Sequence, residues 1–460
     1  MSKLTRRQML QLLALASGGA GLGWLTQRSQ DLQALAQAQE SSVYLPLVKN
    51  GEPITTPEPG SLAGRVVHTH TLHATDWNGT TMFYEHVNQT AVNSLFQAGL
   101  REFTGKNTDA EGWDMLFRRV RSGGYVAGQT KIAVKINANN SAHEPGNTCT
   151  THDNSIDALP QVAIALMRSL VTAGVEPGDV TFYDASGKLG SYSGKPIPPY
   201  FLNAVRTAYP DVKFVGQGSC ANTLPTTYGT RNASTQTVTF STPNPDPNPY
   251  ERLQNRLLAD VLYDAAFLIN MPIIKVHGGD GAIPVSLSMK NHFGSINYVY
   301  DSPGYNNLHE YLELDNASGY YTSTYSPLVE LNSHPQIKNK TVLIVADALF
   351  GGKDSSSSPV RSWKILYGPA NSLLFATDPV AIDCVMTDLL RLEAQQTGTE
   401  LYLKLNDPHV YDFLFCGKEA GLGQCEGTRA DPGGNPLQQP YGSGYSGAAN
   451  GGITYIRKDI

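Results

Sequence analysis

The architecture of this chain follows most directly from the segment Ala265-Ala-Phe-Leu-Ile-Asn270, which continues as Met271-Pro-Ile-Ile-Lys-Val-His277. The apolar run before Asn270 is typical of a strand that is buried on both faces. Two lysines, two histidines, one Asp and one Asn then fall between residues 275 and 292, among glycines that let the backbone approach a ligand closely. A structural segment does not need so many titratable groups beside a buried strand. We therefore interpret residues 270–294 as the floor of a binding site.

Helix-like and strand-like patterns alternate on both sides of this segment. Apolar runs and period-two patterns predict strands, which we place at residues 66–72, 131–136, 180–184, 235–240, 265–270, 341–347, 372–376 and 453–456. Helical spacing of apolar residues predicts helices at residues 91–104, 112–120, 159–173, 200–209, 252–265 and 379–392. Strands separated by helices predict an α/β fold, with a mainly parallel or mixed sheet and helices on both faces.

Polar side chains follow five of the predicted strands at what we expect to be the same end. These residues are Lys135 and Asn137; Asp184; Asn270, Lys275 and His277; Asp347; and Asp378. Ligands of open parallel sheets bind outside the carboxyl ends of the strands. Convergence of five strands therefore predicts a site at that edge.

Each of these residues also has a structural interpretation. A lysine in a strand or loop can extend its ammonium to solvent, as Lys135, Lys275 or Lys290 could. His277, His292 and His309 could be satisfied structural histidines, and Asp347 and Asp378 could be helix N-caps. The alternating His68, His70 and His73 could bind a metal, although an exposed strand is the simpler interpretation.

The lysines and the histidines favour different ligands. Converging lysines attract a phosphate or carboxylate, and we assign ligand binding to Lys135, Asn137, Lys275, Asn291 and Asp347. Neutral histidines with Asp280 or Asp347 suit a divalent metal, for which the candidate ligands are His277, His309 and Asp347. Candidate catalytic residues are His277, His309 and Lys290. We favour an anionic ligand with a divalent metal as an optional addition, because a lysine beside a metal is unfavourable unless the anion bridges them.

Composition and motifs exclude several classes. The chain has 460 residues, 16% of them charged, and a net charge of −6, which gives no electrostatic footprint for nucleic acid. There is no GxxxxGK[ST] loop and no GxSxG elbow. The five cysteines form no CxxC motif, so an iron–sulfur cluster is not expected. Among them, Cys384 is expected to be a buried thiol, and the other four could form two disulfides, for which Cys416 with Cys425 is the favoured local pair.

The N-terminus predicts export. Two arginines in Thr5-Arg-Arg-Gln-Met-Leu-Gln11 precede a weakly apolar run from Met9 to Leu25, which is the twin-arginine pattern. Glycines interrupt the run, so a stable membrane span is not expected. We assign residues 1–38 to a signal peptide recognised by the twin-arginine machinery and residues 39–63 to a Pro-rich linker. The destination is then the periplasm, the cell envelope or the exterior.

Several of these segments together resemble one family. They are Ala133-Val-Lys-Ile-Asn137, the segment Asn270 to Gly294, His309, Val345-Ala-Asp347 and Thr377-Asp-Pro-Val-Ala-Ile-Asp383, and the combination resembles the DUF362 family. The similarity extends from about Ala63 to Gly423, and we assign residues 64–426 to the domain and 427–460 to a Gly-, Pro- and Tyr-rich extension. It implies that family motif positions are occupied here by Lys135, Lys275, His277, Lys290, Asn291, His309 and Asp347.

The chain departs from the family pattern in two places. Members tend to have a short Gly-Pro turn after the strand that ends here at Asp347, whereas residues 351–359 are longer and rich in serine. The cysteine-rich ferredoxin-like module that accompanies some members is absent, which argues against electron transfer. The family has no established reaction. Two hypotheses follow: an exported enzyme that acts on a small anion, or a non-catalytic envelope protein that binds a small anion or a metal.

Overall fold

A mixed sheet of eleven strands is the core of the described part of the chain. The computed structural model describes residues 62–138, 140, 154–185, 197–216, 223–242, 255–277, 283–297, 308–312, 325–354, 358–398, 405, 408–425 and 452–460. The strands are β1 (Arg65–His70), β2 (Ile132–Lys135), β3 (Val180–Asp184), β4 (Lys213–Gly216), β5 (Leu224–Pro225), β6 (Thr237–Val238), β7 (Arg256–Leu257), β8 (Phe267–Asn270), β9 (Ile273–Val276), β10 (Val285–Ser286), β11 (Thr341–Gly352), β12 (Ser372–Ala376) and β13 (Thr454–Asp459). Of these thirteen described strands, β6 and β7 lie outside the central sheet and pair with each other.

The order along the sheet is β13-β1-β12-β11-β8-β2-β3-β4-β5, with β9 and β10 attached beside β11. Strands β11, β8, β2, β3, β4 and β5 pair in parallel, whereas β12 is antiparallel to both of its neighbours. The predicted α/β fold with a mainly parallel or mixed sheet is therefore confirmed.

Eleven α-helices surround the sheet in the described part of the chain. They are α1 (Gln89–Thr104), α2 (Asp109–Val120), α3 (Pro160–Thr172), α4 (Pro199–Ala208), α5 (Ala233–Gln236), α6 (Asp260–Asp264), α7 (Ser288–Asn291), α8 (Pro327–Ser333), α9 (Pro335–Lys338), α10 (Pro379–Thr397) and α11 (Asp412–Glu419). Within these residues, no helix combines the length and the apolar character needed to cross a bilayer.

The two faces of the sheet pack against different helices. Phe375 of β12 lies against Gly99 of α1, so close that an added Cβ at Gly99 would be 2.0 Å from the ring. Leu374, which precedes Phe375 in β12, lines a small cavity on the opposite face together with Leu389 of α10. Successive strand side chains point to opposite faces, so burial of both residues explains why the strands have continuous apolar runs rather than alternating ones.

For two predicted elements the type of secondary structure was wrong. The predicted strand at 235–240 is the end of helix α5 followed by the two-residue β6, because the Asn232 side chain caps the helix at the Thr235 N–H. The predicted helix at 252–265 is the strand β7 followed by the short α6. There the backbone N–H of Leu257 donates to the Asn297 side chain, and pairing across the chain replaces the helical hydrogen bonds. Residues 252–254 lie outside the described residues.

Strand β1 is buried between two strands, and the prediction of an exposed strand was wrong. Its outer partner is β13, which lies parallel to it within the predicted C-terminal extension. His68 Nδ1 is 2.7 Å from the Tyr455 hydroxyl, and His70 Nδ1 is 3.2 Å from Asp459 Oδ1. These contacts supply a structural role for both histidines.

The described cysteines also differ from the sequence prediction. Cys384, Cys416 and Cys425 are all buried. Cys416 donates to the Tyr325 carbonyl at 3.4 Å, whereas the Cys425 sulfur is 3.7 Å from that of Cys384. The predicted Cys416–Cys425 pair was therefore wrong, because the two thiols have different neighbours. Cys149 and Cys220 lie outside the described residues.

Candidate functional site

The centre of the candidate site is a buried ion pair between two adjacent parallel strands. Lys135, the last residue of β2, places its ammonium 3.2 Å from Asp184 Oδ2 at the end of β3. Both residues are buried. Burial lowers the pKa of Lys135, and Asp184 opposes that shift. The Asp184 carboxylate also accepts a hydrogen bond from the Ala138 N–H at 2.9 Å, which fixes the carboxylate above the sheet edge.

Three asparagines connect this ion pair to the neighbouring strand. Asn291 Oδ1 accepts hydrogen bonds from the Lys135 ammonium and from Asn137 Nδ2, each at 3.2 Å. Asn291 Nδ2 donates to Asn270 Oδ1 at 2.7 Å, and Asn270 Nδ2 donates to the Ser288 carbonyl at 2.9 Å. The amide groups are thus oriented by their partners, and the network is rigid because both ends of each buried amide are engaged.

Helix α7 carries Asn291 into the site, and its position depends on a buried carboxylate. Asp383 of α10 accepts hydrogen bonds from the N–H groups of Ser288 and Met289, at 2.8 and 3.0 Å. Burial raises the pKa of Asp383 to about 7, although these hydrogen bonds act in the opposite direction. Asp383 thereby satisfies backbone donors that the first turn of the helix leaves open.

Gly294 closes the site on the side of the ion pair. A Cβ at this position would lie 2.3 Å from Asp184 Oδ1 and 2.7 Å from the Lys135 ammonium. The Gly294 carbonyl also accepts the Ala185 N–H at 2.7 Å. A side chain would displace the ion pair, which explains why glycine is required here.

Two further lysines extend the site beyond the ion pair. The Lys275 ammonium of β9 donates to Asn137 Oδ1 at 3.2 Å. Lys290 of α7 is 7% exposed, and its ammonium has no hydrogen-bond partner among the described residues. Burial, and then the positive charge of Lys275, lower the pKa of Lys290 to about 7. This ammonium is the buried group of the site that most requires a partner.

The two histidines of this region have different surroundings. Burial and the adjacent Lys290 and Lys275 lower the pKa of His277 to about 3, so its ring is neutral at neutral pH. His292 is also held neutral by burial and by Lys135, and its Nδ1 lies 3.0 Å from the Ser295 hydroxyl. That hydroxyl is in turn 2.9 Å from the Tyr183 hydroxyl, so His292 makes the contacts of a structural histidine.

The structure revises the positions of two aspartates. Asp347 lies in the middle of β11 rather than at its end, because the strand continues to Gly352 in pairing with β9. Its carboxylate accepts hydrogen bonds from the N–H groups of Leu349 and Leu159, and burial raises its pKa to about 7. These hydrogen bonds connect it to the backbone and not to the described lysines of the site.

Asp378 does not belong to the converging set. It follows β12, which is antiparallel to β11, so it lies at the opposite edge of the sheet. There it caps α10 by accepting from Val380 and Ala381, and it also accepts from Gly64 and Gln424. The N-cap interpretation of Asp378 is confirmed.

The predicted metal site stays a prediction. The side chain of His309 and the whole of Asp280 lie outside the described residues. Among the described residues, no three His, Cys, Asp or Glu side chains come together in a way that could hold an ion. His277 is neutral and could act as a ligand, but the two lysines that lower its pKa would also repel a cation.

Sequence reasoning missed three contributors to the site. Asp184 was noted at a strand end but not assigned to the ligand site, and Gly294 and Asp383 were seen only as parts of motifs. Each of them acts across a long sequence separation, as in the pairing of Asp383 with Ser288. The signal that could have found Asp383 is the segment Thr377-Asp-Pro-Val-Ala-Ile-Asp383, which places a second acid one turn inside the helix.

The fold and these residues together define an α/β protein with a lysine- and asparagine-lined site at the carboxyl edge of its parallel strands. The chain belongs to the family described as "Domain of unknown function (DUF362)", which it matches over residues 132–388. The match includes all three site lysines, both asparagines that they contact, and Asp383. No curated protein is similar to the chain.

Proposed function

We propose that this protein is exported and binds a small anion, a phosphate or a carboxylate, between Lys275 and Lys290. The observation that carries the proposal is the Lys290 ammonium, which is buried without a hydrogen-bond partner among the described residues. An ammonium in this position is costly unless a counter-charge accompanies it. A bound anion supplies that charge and accepts the hydrogen bonds that the protein does not.

The different surroundings of the three lysines support this proposal. Lys135 is neutralised by Asp184 and bonded to Asn291, so its role is to hold the asparagine network in place. Lys275 is oriented by Asn137 and raises the local positive potential, which disfavours the charged form of Lys290 in the absence of a ligand. An anion would reverse that effect, because it favours the charged form of both lysines.

Acid–base chemistry on the anion is the catalytic version of this proposal. A pKa of about 7 suits Lys290 to proton transfer near neutral pH, whereas the pKa of about 3 makes His277 a weak base in the ligand-free site. Lys290 is therefore the stronger catalytic candidate of the two. A non-catalytic binding protein would use the same contacts without turnover. Detection of a chemically modified product after incubation with the anion would distinguish an enzyme from such a binding protein.

Replacing Lys290 with Met tests the binding site, because Met fills much of the same volume without the charge. We expect the variant to bind inorganic phosphate or citrate at least tenfold more weakly than the wild type in isothermal titration calorimetry. Lost charge-assisted hydrogen bonds of about 1.5–3 kcal/mol correspond to a change of this size. Lys213→Met, at an exposed position of β4, is the matched control and should leave binding unchanged.

The pH dependence gives the same variant a second readout. Since the pKa of Lys290 is lowered to about 7, its ammonium is present below that pH and is lost above it. Anion affinity of the wild type should thus fall as the pH rises from 6 to 8.5, by up to about tenfold per unit. The Lys290→Met variant should lack this slope. Equal affinities and equal slopes in the two proteins would refute the site.

The export part of the proposal is supported by the sequence alone. Arg6 and Arg7 precede the weakly apolar run in the pattern of a twin-arginine signal. Replacing both with Lys keeps the charge and removes the guanidinium pair. We expect the variant to accumulate in the cytoplasm while the unchanged chain is recovered outside it, as measured by fractionation and immunoblotting. Equal distributions would show that another route, or none, is used.

A further inference from the structure

Two buried thiols that lie far apart in the sequence are neighbours in the structure. Cys384 is in the first half of α10, and Cys425 follows the end of α11. Their sulfur atoms are 3.7 Å apart, and neither side chain is exposed to solvent. The two residues are 41 positions apart, so the fold rather than the local sequence brings the thiols together.

Cys416, the third described cysteine, is not a competitor for this contact. Its thiol donates to the carbonyl of Tyr325 at 3.4 Å. The backbone of Cys425 is fixed by a hydrogen bond, which its carbonyl accepts from the Lys418 ammonium at 2.6 Å. Among the described cysteines, Cys384 is therefore the one whose sulfur lies beside that of Cys425.

We propose that Cys384 and Cys425 form a disulfide bond when the protein meets a thiol oxidant of the disulfide class. One thiolate attacks the oxidant disulfide and releases one of its thiols, and the second cysteine then displaces the other. The S–S bond forms as the oxidant S–S bond is broken, and the two cysteine protons end on the two released thiols. A disulfide requires sulfur atoms about 2.05 Å apart, so the contact must shorten by about 1.7 Å, within reach of side-chain rotation and a small backbone adjustment.

The bond would fix the segment at Cys425 to helix α10. Gln424, next to Cys425, donates its N–H to Asp378 at 2.9 Å, and Gly64 at the start of β1 donates to the same carboxylate at 3.1 Å. A covalent link at Cys425 therefore holds the segment that completes the cap of α10. This proposal concerns a different region from the anion site and does not depend on it.

Burial of the thiols sets the kinetics of the reaction. The attacking thiolate must reach the oxidant, so the folded protein has to open locally at Cys425 before the first exchange step. Oxidation of the native protein is thus expected to be slow and to accelerate in mild denaturant. The completed bond, being equally buried, is expected to resist reduction until the protein is unfolded.

The test is peptide mapping of the full chain, which also accounts for Cys149 and Cys220. Purified reduced protein is incubated with oxidised glutathione or with dithiothreitol, alkylated under denaturing conditions and digested. The expected result is a linked pair of peptides containing Cys384 and Cys425, present only after oxidation and two mass units lighter than the sum of the reduced peptides. A linkage of Cys425 to any other cysteine, full alkylation of both residues, or glutathione adducts without the linkage would overturn the proposal.

Variants give a readout that does not rely on mass alone. Oxidation should raise the Tm of the wild type and of Cys416→Ser by several degrees, because the cross-link restricts the unfolded chain. Cys384→Ala should show no difference between its oxidised and reduced forms. The comparison is made within each protein, so a loss of stability caused by the substitution itself does not affect it. An equal Tm shift in Cys384→Ala would contradict the assignment.

Discussion

An Asp184→Asn variant is expected to be about 3–5 kcal/mol less stable to unfolding than the wild type. Asn keeps the shape of Asp and the acceptor for the Ala138 N–H, so the variant removes the charge and little else. The Lys135 ammonium, 1% exposed, then remains buried without its carboxylate partner. Urea unfolding followed by circular dichroism measures the change. A loss below about 1 kcal/mol would show that the ion pair is not a closed, desolvated contact.

A double variant isolates the charge from the packing. Replacing Lys135 with Met as well removes the unpaired ammonium and keeps an apolar stem of similar length. Buried ion pairs can be replaced by apolar groups at little cost, whereas breaking one partner is costly. The double variant should therefore be more stable than Asp184→Asn alone. If the two losses simply add, the coupling between Lys135 and Asp184 is absent and the interpretation of the pair fails.

Gly294→Ala should lose about 3 kcal/mol of stability and most of its affinity for an anion. The added methyl group would lie 2.3 Å from Asp184 Oδ1 and 2.7 Å from the Lys135 ammonium, distances that no Cβ atom tolerates. The ion pair or the turn after α7 must move, and overpacking of this kind costs about 1–3 kcal/mol in well-packed interiors. Because Asn291 is bonded to Lys135, the displacement also reaches the asparagines that orient Lys275.

Gly123→Ala is the control for the backbone effect of the substitution. A Cβ at Gly123 has no neighbour within 4 Å, and the glycine does not have a positive φ. We expect Gly123→Ala to change stability by less than about 0.5 kcal/mol and to leave anion binding unchanged. If both variants lose binding equally, or if Gly294→Ala binds like the wild type, then close packing at residue 294 does not position the site.

Sequence patterns predicted four strands of the parallel part of the sheet, β2, β3, β8 and β11, because these are continuous apolar runs, whereas the shorter β4, β5 and β9 were not predicted. Strands β2, β3 and β8 lie within or at the ends of the predicted runs. The direction of β12 could not be predicted, since an apolar run has the same pattern in either orientation. Direction depends on where residues 353–371 lead the chain, and no local periodicity encodes that path.

The candidate site also has features that the sequence predicted and features that it could not predict. Position at strand ends predicted Lys135, Asn137 and Lys275, and the polar segment 270–294 predicted Lys290 and Asn291. The structure places hydrogen bonds between several of them. Which lysine is neutralised and which is not could not be predicted, because it depends on contacts across long separations. Asp184 and Lys135 meet through strand register, whereas Lys290, which lies on α7, has no hydrogen-bond partner among the described residues.

The pairing of β1 with β13 has a consequence for synthesis. The ribosome makes residues 65–70 long before residues 454–459, yet each strand is the other's neighbour in the sheet. Until residues 454–459 have been made, the buried histidines of β1 lack Tyr455 and Asp459, so this edge of the sheet is incomplete. A chain that lacks these last residues would therefore keep β1 as an edge strand that is paired only with β12, and its sheet would stay one strand short.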